Sequence, residues 1–222
     1  MLDFAGSRAD LSASARRRSR RQSERLRTAR VTTFVKACLA ATLGLALGLW
    51  ASRAILAAGP PFGVVEIGAW RVAVNAGSLQ ADPYTRAELE RSGEIPLAVG
   101  EGLQLIARRD DAGRRLDPRC TYRVGPHTPA ARYWTLSVVD RNGFPIENAA
   151  GRYGFRSSEI LRQSDAAFSI YVSATAHSGN WLPVGAAKPF LLVLRLYDSP
   201  LSATAGGIEK SAVPLIERVG CA

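Results

Sequence analysis

Between Ala37 and Ser52 the chain runs ACLAATLGLALGLWAS without a single charge. As a helix that stretch is roughly 24 Å long at 1.5 Å per residue. Extended to residues 32–58, it is ample for a hydrocarbon core of about 30 Å. Lys36 and Arg53 then fall near the two interfaces, where long cationic side chains can snorkel, and Trp50 sits at the depth an indole favours. Gly59-Pro60-Pro61 ends the helix, because proline lacks the backbone donor and clashes with the preceding turn.

Three readings compete for the segment. A buried core helix rarely follows an arginine-rich arm. A cleaved signal peptide shares the basic and apolar regions, but its basic part is far shorter, and Leu56 fills the −3 place of the best small-residue site. An uncleaved signal-anchor fits best. Ser19-Arg20-Arg21-Gln22 begins like a twin-arginine signal, yet Ser23-Glu24 follows where apolar residues belong.

Charge supplies the orientation. The net charge is +10, and residues 1–36 account for +7 of it, with ten basic side chains against three acidic. Basic residues before a span hold that end in the cytoplasm. The expected organisation is a basic cytoplasmic arm at 1–31, a transmembrane signal-anchor helix at 32–58 and a periplasmic domain at 59–222, in a bacterial inner membrane. The arm acts as a topology determinant in contact with anionic lipid. No aromatics interleave with its arginines, so nucleic acid is not an expected partner. Ala40, Gly44, Gly48 and Ser52 share one helix face, a small-residue spacing that suits self-association through the span. Apolar spans rich in alanine and glycine also match it by chance.

The soluble part reads as mainly β. Trp134, Leu136 and Val138 alternate with Tyr133, Thr135 and Ser137; Phe168, Ile170, Val172 and Ala174 alternate in the same way with their neighbours. Leu191–Tyr197 is apolar on both faces except at Arg195, as a central strand would be. Shorter candidates are 70–74, 103–108, 121–124, 153–156 and 214–219, and Asn142-Gly143 marks a tight turn. One short helix stands out, Tyr84–Ser92, with Asp82 as N-cap, Pro83 at the first position and Gly93 at the end. Many short strands with one helix predict a β-sandwich of jelly-roll type, with a partly open barrel as the alternative.

Cys38 lies in the span. That leaves Cys120 and Cys221, which in an oxidising compartment are expected to pair. The bridge would pin a terminus that otherwise frays.

Four stretches carry a resemblance: GAWRVAVNAGSLQADPYTRA (68–87), CTYRVGPHTPAARYWTLSVVD (120–140), NAAGRYGF (148–155) and NWLPVGAAKPFLLVLRLYD (180–198). Together they resemble the family called "domain of unknown function 1214", in its short membrane-anchored bacterial form. The resemblance implies a mostly β domain without an established biochemical role. It also implies a matching cysteine pair, in support of Cys120–Cys221. The basic arm is longer than the family implies.

The chemistry is sparse. His127 and His177 lie in no metal spacing, and no nucleophile elbow, P-loop or dinucleotide fingerprint occurs, so no cofactor or metal is expected. Asp110-Asp111 is expected to be solvated in a turn with Gly113. The candidate ligand-binding set is aromatic and cationic: Trp134, Tyr153, Trp181, Arg195 and Tyr197, with Tyr133 beside them. A core anchored by Trp134 and Trp181 is the plainer reading. The expected function is non-catalytic binding of an envelope protein, glycan or lipid. The alternatives are a periplasmic hydrolase of carbohydrate and a structural scaffold. A concave cleft exposing Trp134, Trp181 or Arg195 would favour binding, and two facing carboxylates would favour hydrolysis.

Overall fold

The computed structural model describes residues 32–56, 63–93, 95–98, 100–185, 189–200 and 208–221. The basic arm and the Gly59-Pro60-Pro61 stop lie outside the described residues. Helix α1, Thr32–Leu56, is 25 residues long and apolar. Its length and composition suffice to cross a membrane.

The remainder forms a second compact unit from Ile55 onward. Its elements are β1 (Val64–Ile67), β2 (Trp70–Ala73), α2 (Pro83–Ser92), β3 (Gly102–Ala107), β4 (Cys120–Gly125), β5 (Tyr133–Val139), β6 (Gly154–Arg156), β7 (Ile170–Ser173), β8 (Asn180–Pro183), β9 (Leu191–Tyr197) and β10 (Leu215–Cys221). They make a six-stranded sheet, β1-β2-β3-β9-β5-β6, and a four-stranded sheet, β10-β4-β7-β8. All pairs are antiparallel except β7 with β8. The strands thus divide six and four, where a plain jelly roll divides four and four.

The alternation read from the sequence sets the two faces. Trp134, Leu136 and Val138 point inward from β5, and Leu192, Leu194 and Leu196 do so from β9. They meet Tyr122, Val124, Ile170, Val172 and Ile216 of the other sheet in one buried cluster. Trp134 stacks on Phe168 at 5.2 Å between ring centroids. The second tryptophan of the core is Trp70, not Trp181: Trp70 is fully buried and its indole donates to the carbonyl of Pro214 at 2.7 Å. β7 runs from Ile170 to Ser173, two residues short at each end of the alternation expected over 168–175; Ala174 is exposed.

Helix α2 begins and ends as its sequence predicts. Asp82 accepts from the backbone N–H groups of Tyr84 at 2.9 Å and Thr85 at 3.1 Å, and Gly93 takes the left-handed conformation at φ 66°. Burial raises the Asp82 pKa, but hydrogen bonds from the Thr85 side chain and from backbone outweigh it and leave the carboxyl below its usual value. Asp82→Ala is expected to cost about 1 kcal/mol. An unchanged urea midpoint of the full chain would show that the cap contributes nothing.

Cys120 and Cys221 are disulfide-bonded across the β4–β10 pair, where they are direct partners. The expected pairing is therefore present.

Candidate functional site

The five residues of the aromatic and cationic set do not come together. Trp134 is 3% exposed and belongs to the core. Arg195 and Tyr197 leave β9 on the opposite, outer face of the six-stranded sheet; Arg195 donates from Nε to Gln104 Oε1 at 2.8 Å, and Tyr197 packs on its cross-strand partner Tyr133 at 5.8 Å. Trp181 is half-buried on the outer face of the other sheet, donating to the carbonyl of Ser173 at 3.1 Å. Tyr153, 42% exposed, precedes β6. Both histidines are exposed; His177 stacks on Tyr171. Ala40, Gly44, Gly48 and Ser52 are exposed along α1. Among the described residues, no three His, Cys, Asp or Glu side chains group as metal ligands would.

The structure instead builds a site that the sequence reading passed over. In the order β2-β3-β9-β5, antiparallel pairing brings the start of β2, the end of β3, the start of β9 and the end of β5 to one edge. At that edge lies an open cleft of about 620 Å³. Its walls carry Arg71, Arg108, Arg109, Arg115 and Arg141, and its apolar part includes Leu116, Phe190 and Leu191. Three carboxylates also line it, Glu66, Asp110 and Asp111.

Each wall has a local cause. Arg71 and Ile106 are partners across β2 and β3, so continued alternation puts Arg108, two residues beyond Ile106, on the same outer face. After Arg108 the chain folds back in a short loop. Leu116 N–H donates to Arg108 O, Asp110 N–H to Arg114 O and Gly113 N–H to Asp110 O, with Gly113 at φ 79°. Arg141 follows β5 in the turn that Asn142-Gly143 forms, where Asp140 accepts from the N–H groups of Asn142 and Phe144.

Asp110 corrects the sequence reading. It is not solvated but 1% exposed. Its Oδ2 lies 3.1 Å from Arg114 Nε and 3.1 Å from Arg218 Nε of β10, and its Oδ1 accepts from Arg114 N–H at 2.8 Å. Two guanidinium groups and a backbone donor compensate the burial of this charge. Arg218 is itself 16% exposed, donates to Arg115 O at 2.8 Å and lies over the Tyr122 ring. Beside it, a hydrogen bond from the Arg119 side chain holds the half-buried Asp117 carboxyl down at about 2. Asp111 accepts from Ile216 N–H and so also engages β10. Glu66 pairs with Arg71 at 3.2 Å across the β1–β2 ladder.

Every carboxylate of the cleft is thus engaged, whereas the arginines exceed them. Among the described residues, no carboxylate lies within ion-pair distance of Arg108, Arg115 or Arg141. Burial, then repulsion from Arg71, Arg115 and Arg141, lowers the Arg108 pKa from its ordinary value, with Glu88 of α2 opposing. A signal was present in the sequence, the run Arg108-Arg109…Arg114-Arg115. Arg71 and Arg141 are too distant in sequence to have been grouped with it.

Comparison with solved structures gives the VPA0106 protein of Vibrio parahaemolyticus, at 24% identity and a TM-score of 0.51 over 63% of this chain and 36% of that chain. The likeness is one of fold, and the chain spans about a third of that protein's length. An uncharacterised protein from Burkholderia cenocepacia matches at 18% identity and a TM-score of 0.37, over 62% of this chain and 43% of that chain. No curated protein matches. The family model described as "Protein of unknown function (DUF1214)" matches residues 101–201, which run from the residue before β3 through β9 and take in the arginine loop of the cleft. Over that stretch, a little under half of its length, the chain is similar to the DUF1214 family.

Proposed function

We propose that this protein is a membrane-anchored, non-catalytic binding module of the bacterial envelope, and that it binds its partner in the arginine-lined cleft. The observation that carries the reading is the cleft itself: an open cavity of about 620 Å³ whose cations outnumber its acids. The engagement of Glu66, Asp110 and Asp111 supports binding over hydrolysis, since glycoside hydrolysis needs two carboxylates free to act on the sugar bond. Anchoring by α1 is supported by its 25-residue length and its apolar composition. Export of the domain is supported by the Cys120–Cys221 bridge, because such bonds persist in oxidising compartments. The basic arm would then rest on the cytoplasmic leaflet, at about 1 kcal/mol per basic residue near anionic lipid.

Reporter fusions test the placement. A reporter after Arg30 is expected to be active only in its cytoplasmic form, and one after Ala222 only in its exported form. A cytoplasmic reporter after Ala222 would overturn the export reading.

A further inference from the structure

The cleft has a chemical signature of its own. Setting aside Asp110, which Arg114 and Arg218 satisfy from outside the cavity, its walls hold five guanidinium groups against Glu66 and Asp111. Arg71 is committed to Glu66 and Arg109 donates to Gly113 O at 2.8 Å. Arg108, Arg115 and Arg141 are left without a carboxylate partner among the described residues.

Three like charges facing one cavity repel one another, and Arg108 is half-buried, where water screens that repulsion less. Such an arrangement is costly when empty and is relieved by a multivalent anion. Guanidinium groups suit a phosphate, whose oxygens accept paired, parallel hydrogen bonds. The apolar part of the wall fits a ligand that is more than a bare ion. Leu116, Phe190 and Leu191 lie among the arginines. Next to them, Val139, Leu191 and Val193 form a small apolar cluster on the outer sheet face, with Ile106 packed against it.

We infer that the cleft binds a phosphate-bearing ligand, with Arg108, Arg115 and Arg141 meeting the phosphate oxygens and the apolar wall receiving the attached organic group. This deepens the binding reading above and rests on it. A lipid headgroup and a soluble phosphate ester share the chemistry, and the test separates them.

The test uses the full chain in maltoside micelles, titrated calorimetrically with inorganic pyrophosphate. Saturable binding is expected. Arg108→Gln and Arg141→Gln should each weaken it about tenfold, the worth of one charge-assisted contact. Arg108→Lys keeps the charge but loses the planar fork, and should recover only part of that loss. Arg132→Gln removes an exposed charge from the far end of β5, where Arg132 pairs with Asp198, and should leave the affinity within about twofold. Arg141 sits exposed in a turn, so its variant folds even if Arg108→Gln does not.

Micelles doped with phosphatidic acid identify the source. Competition that weakens pyrophosphate binding assigns the cleft to a lipid headgroup, and its absence assigns it to a soluble phosphate ester. No saturable binding, or equal weakening by Arg132→Gln, would overturn the inference. If the phosphate titrations fail while the reporter after Ala222 lies outside, the ligand class is wrong and the export reading stands. Binding with a cytoplasmic reporter gives the reverse.

Discussion

Asp110→Ala is expected to remove about 3–5 kcal/mol of folding stability, the cost of leaving a buried ion pair with one partner missing. The size follows from burial. At 1% exposure Asp110 sits between Arg114 and Arg218, and Arg218 is held at 16% exposure against Tyr122. Without the carboxylate, Arg218 is a poorly solvated cation on the strand that closes the smaller sheet. It must stay buried unpaired or pull β10 away from β4. The loop of the cleft also loses the bond from Arg114 N–H, so the variant should bind ligand poorly even where it remains folded. Urea unfolding of the full chain in micelles measures the stability. A variant within about 1 kcal/mol of the parent would rule out a compensated buried charge at this position.

Loss of the Cys120–Cys221 bridge should have a comparable effect. Its sequence separation is 101 residues, and closing a loop of that size in the unfolded chain is worth about 4–5 kcal/mol on the chain-entropy model. Cys120→Ser combined with Cys221→Ser avoids a stray thiol and should lower the urea midpoint accordingly, while dithiothreitol should do the same to the parent and nothing to the variant. A midpoint indifferent to both would sink the prediction. β10 is an edge strand, paired among the described residues with β4 alone, so the bridge and the Asp110–Arg218 pair are two fastenings of one element. Their losses should therefore not add, and the combined variant should unfold with less than the sum of the two effects.

What could be read in the sequence was what depends on near neighbours. The alternation of Trp134, Leu136 and Val138 announced β5 and its buried face, and the Asp82-Pro83…Gly93 pattern announced α2 almost to the residue. The cysteines needed only the argument from compartment, with family resemblance behind it. β1 and β8 were missed; β8 ends on Pro183, which has no N–H to give to a sheet ladder. Trp181 was misjudged for a related reason: composition says that indoles pack, but its parity on β8 turns it outward.

The cleft was hidden for a different reason. Beyond residue 36 the chain holds nineteen basic and sixteen acidic residues, a near-balance that says nothing of position. Strand order then gathers Arg71, Arg108 and Arg141 at one sheet edge, while pairing spends Glu66, Asp110 and Asp111. Asp110 looked solvated because its partner Arg218 lies over a hundred residues away on β10.

The hydrogen bond from Trp70 to Pro214 has a consequence for what counts as the heritable unit. The family signature, residues 101–201, omits Trp70 and Val72 at one end and Ile216 and Cys221 at the other. Trp70, Val72 and Ile216 belong to the buried core, and Cys221 ties β10 to β4 through the disulfide. A polypeptide cut at the signature's limits would retain β3 through β9 yet expose the apolar faces that β2 and β10 cover. A segment meant to fold on its own is therefore expected to need β2 and β10 in addition to the signature.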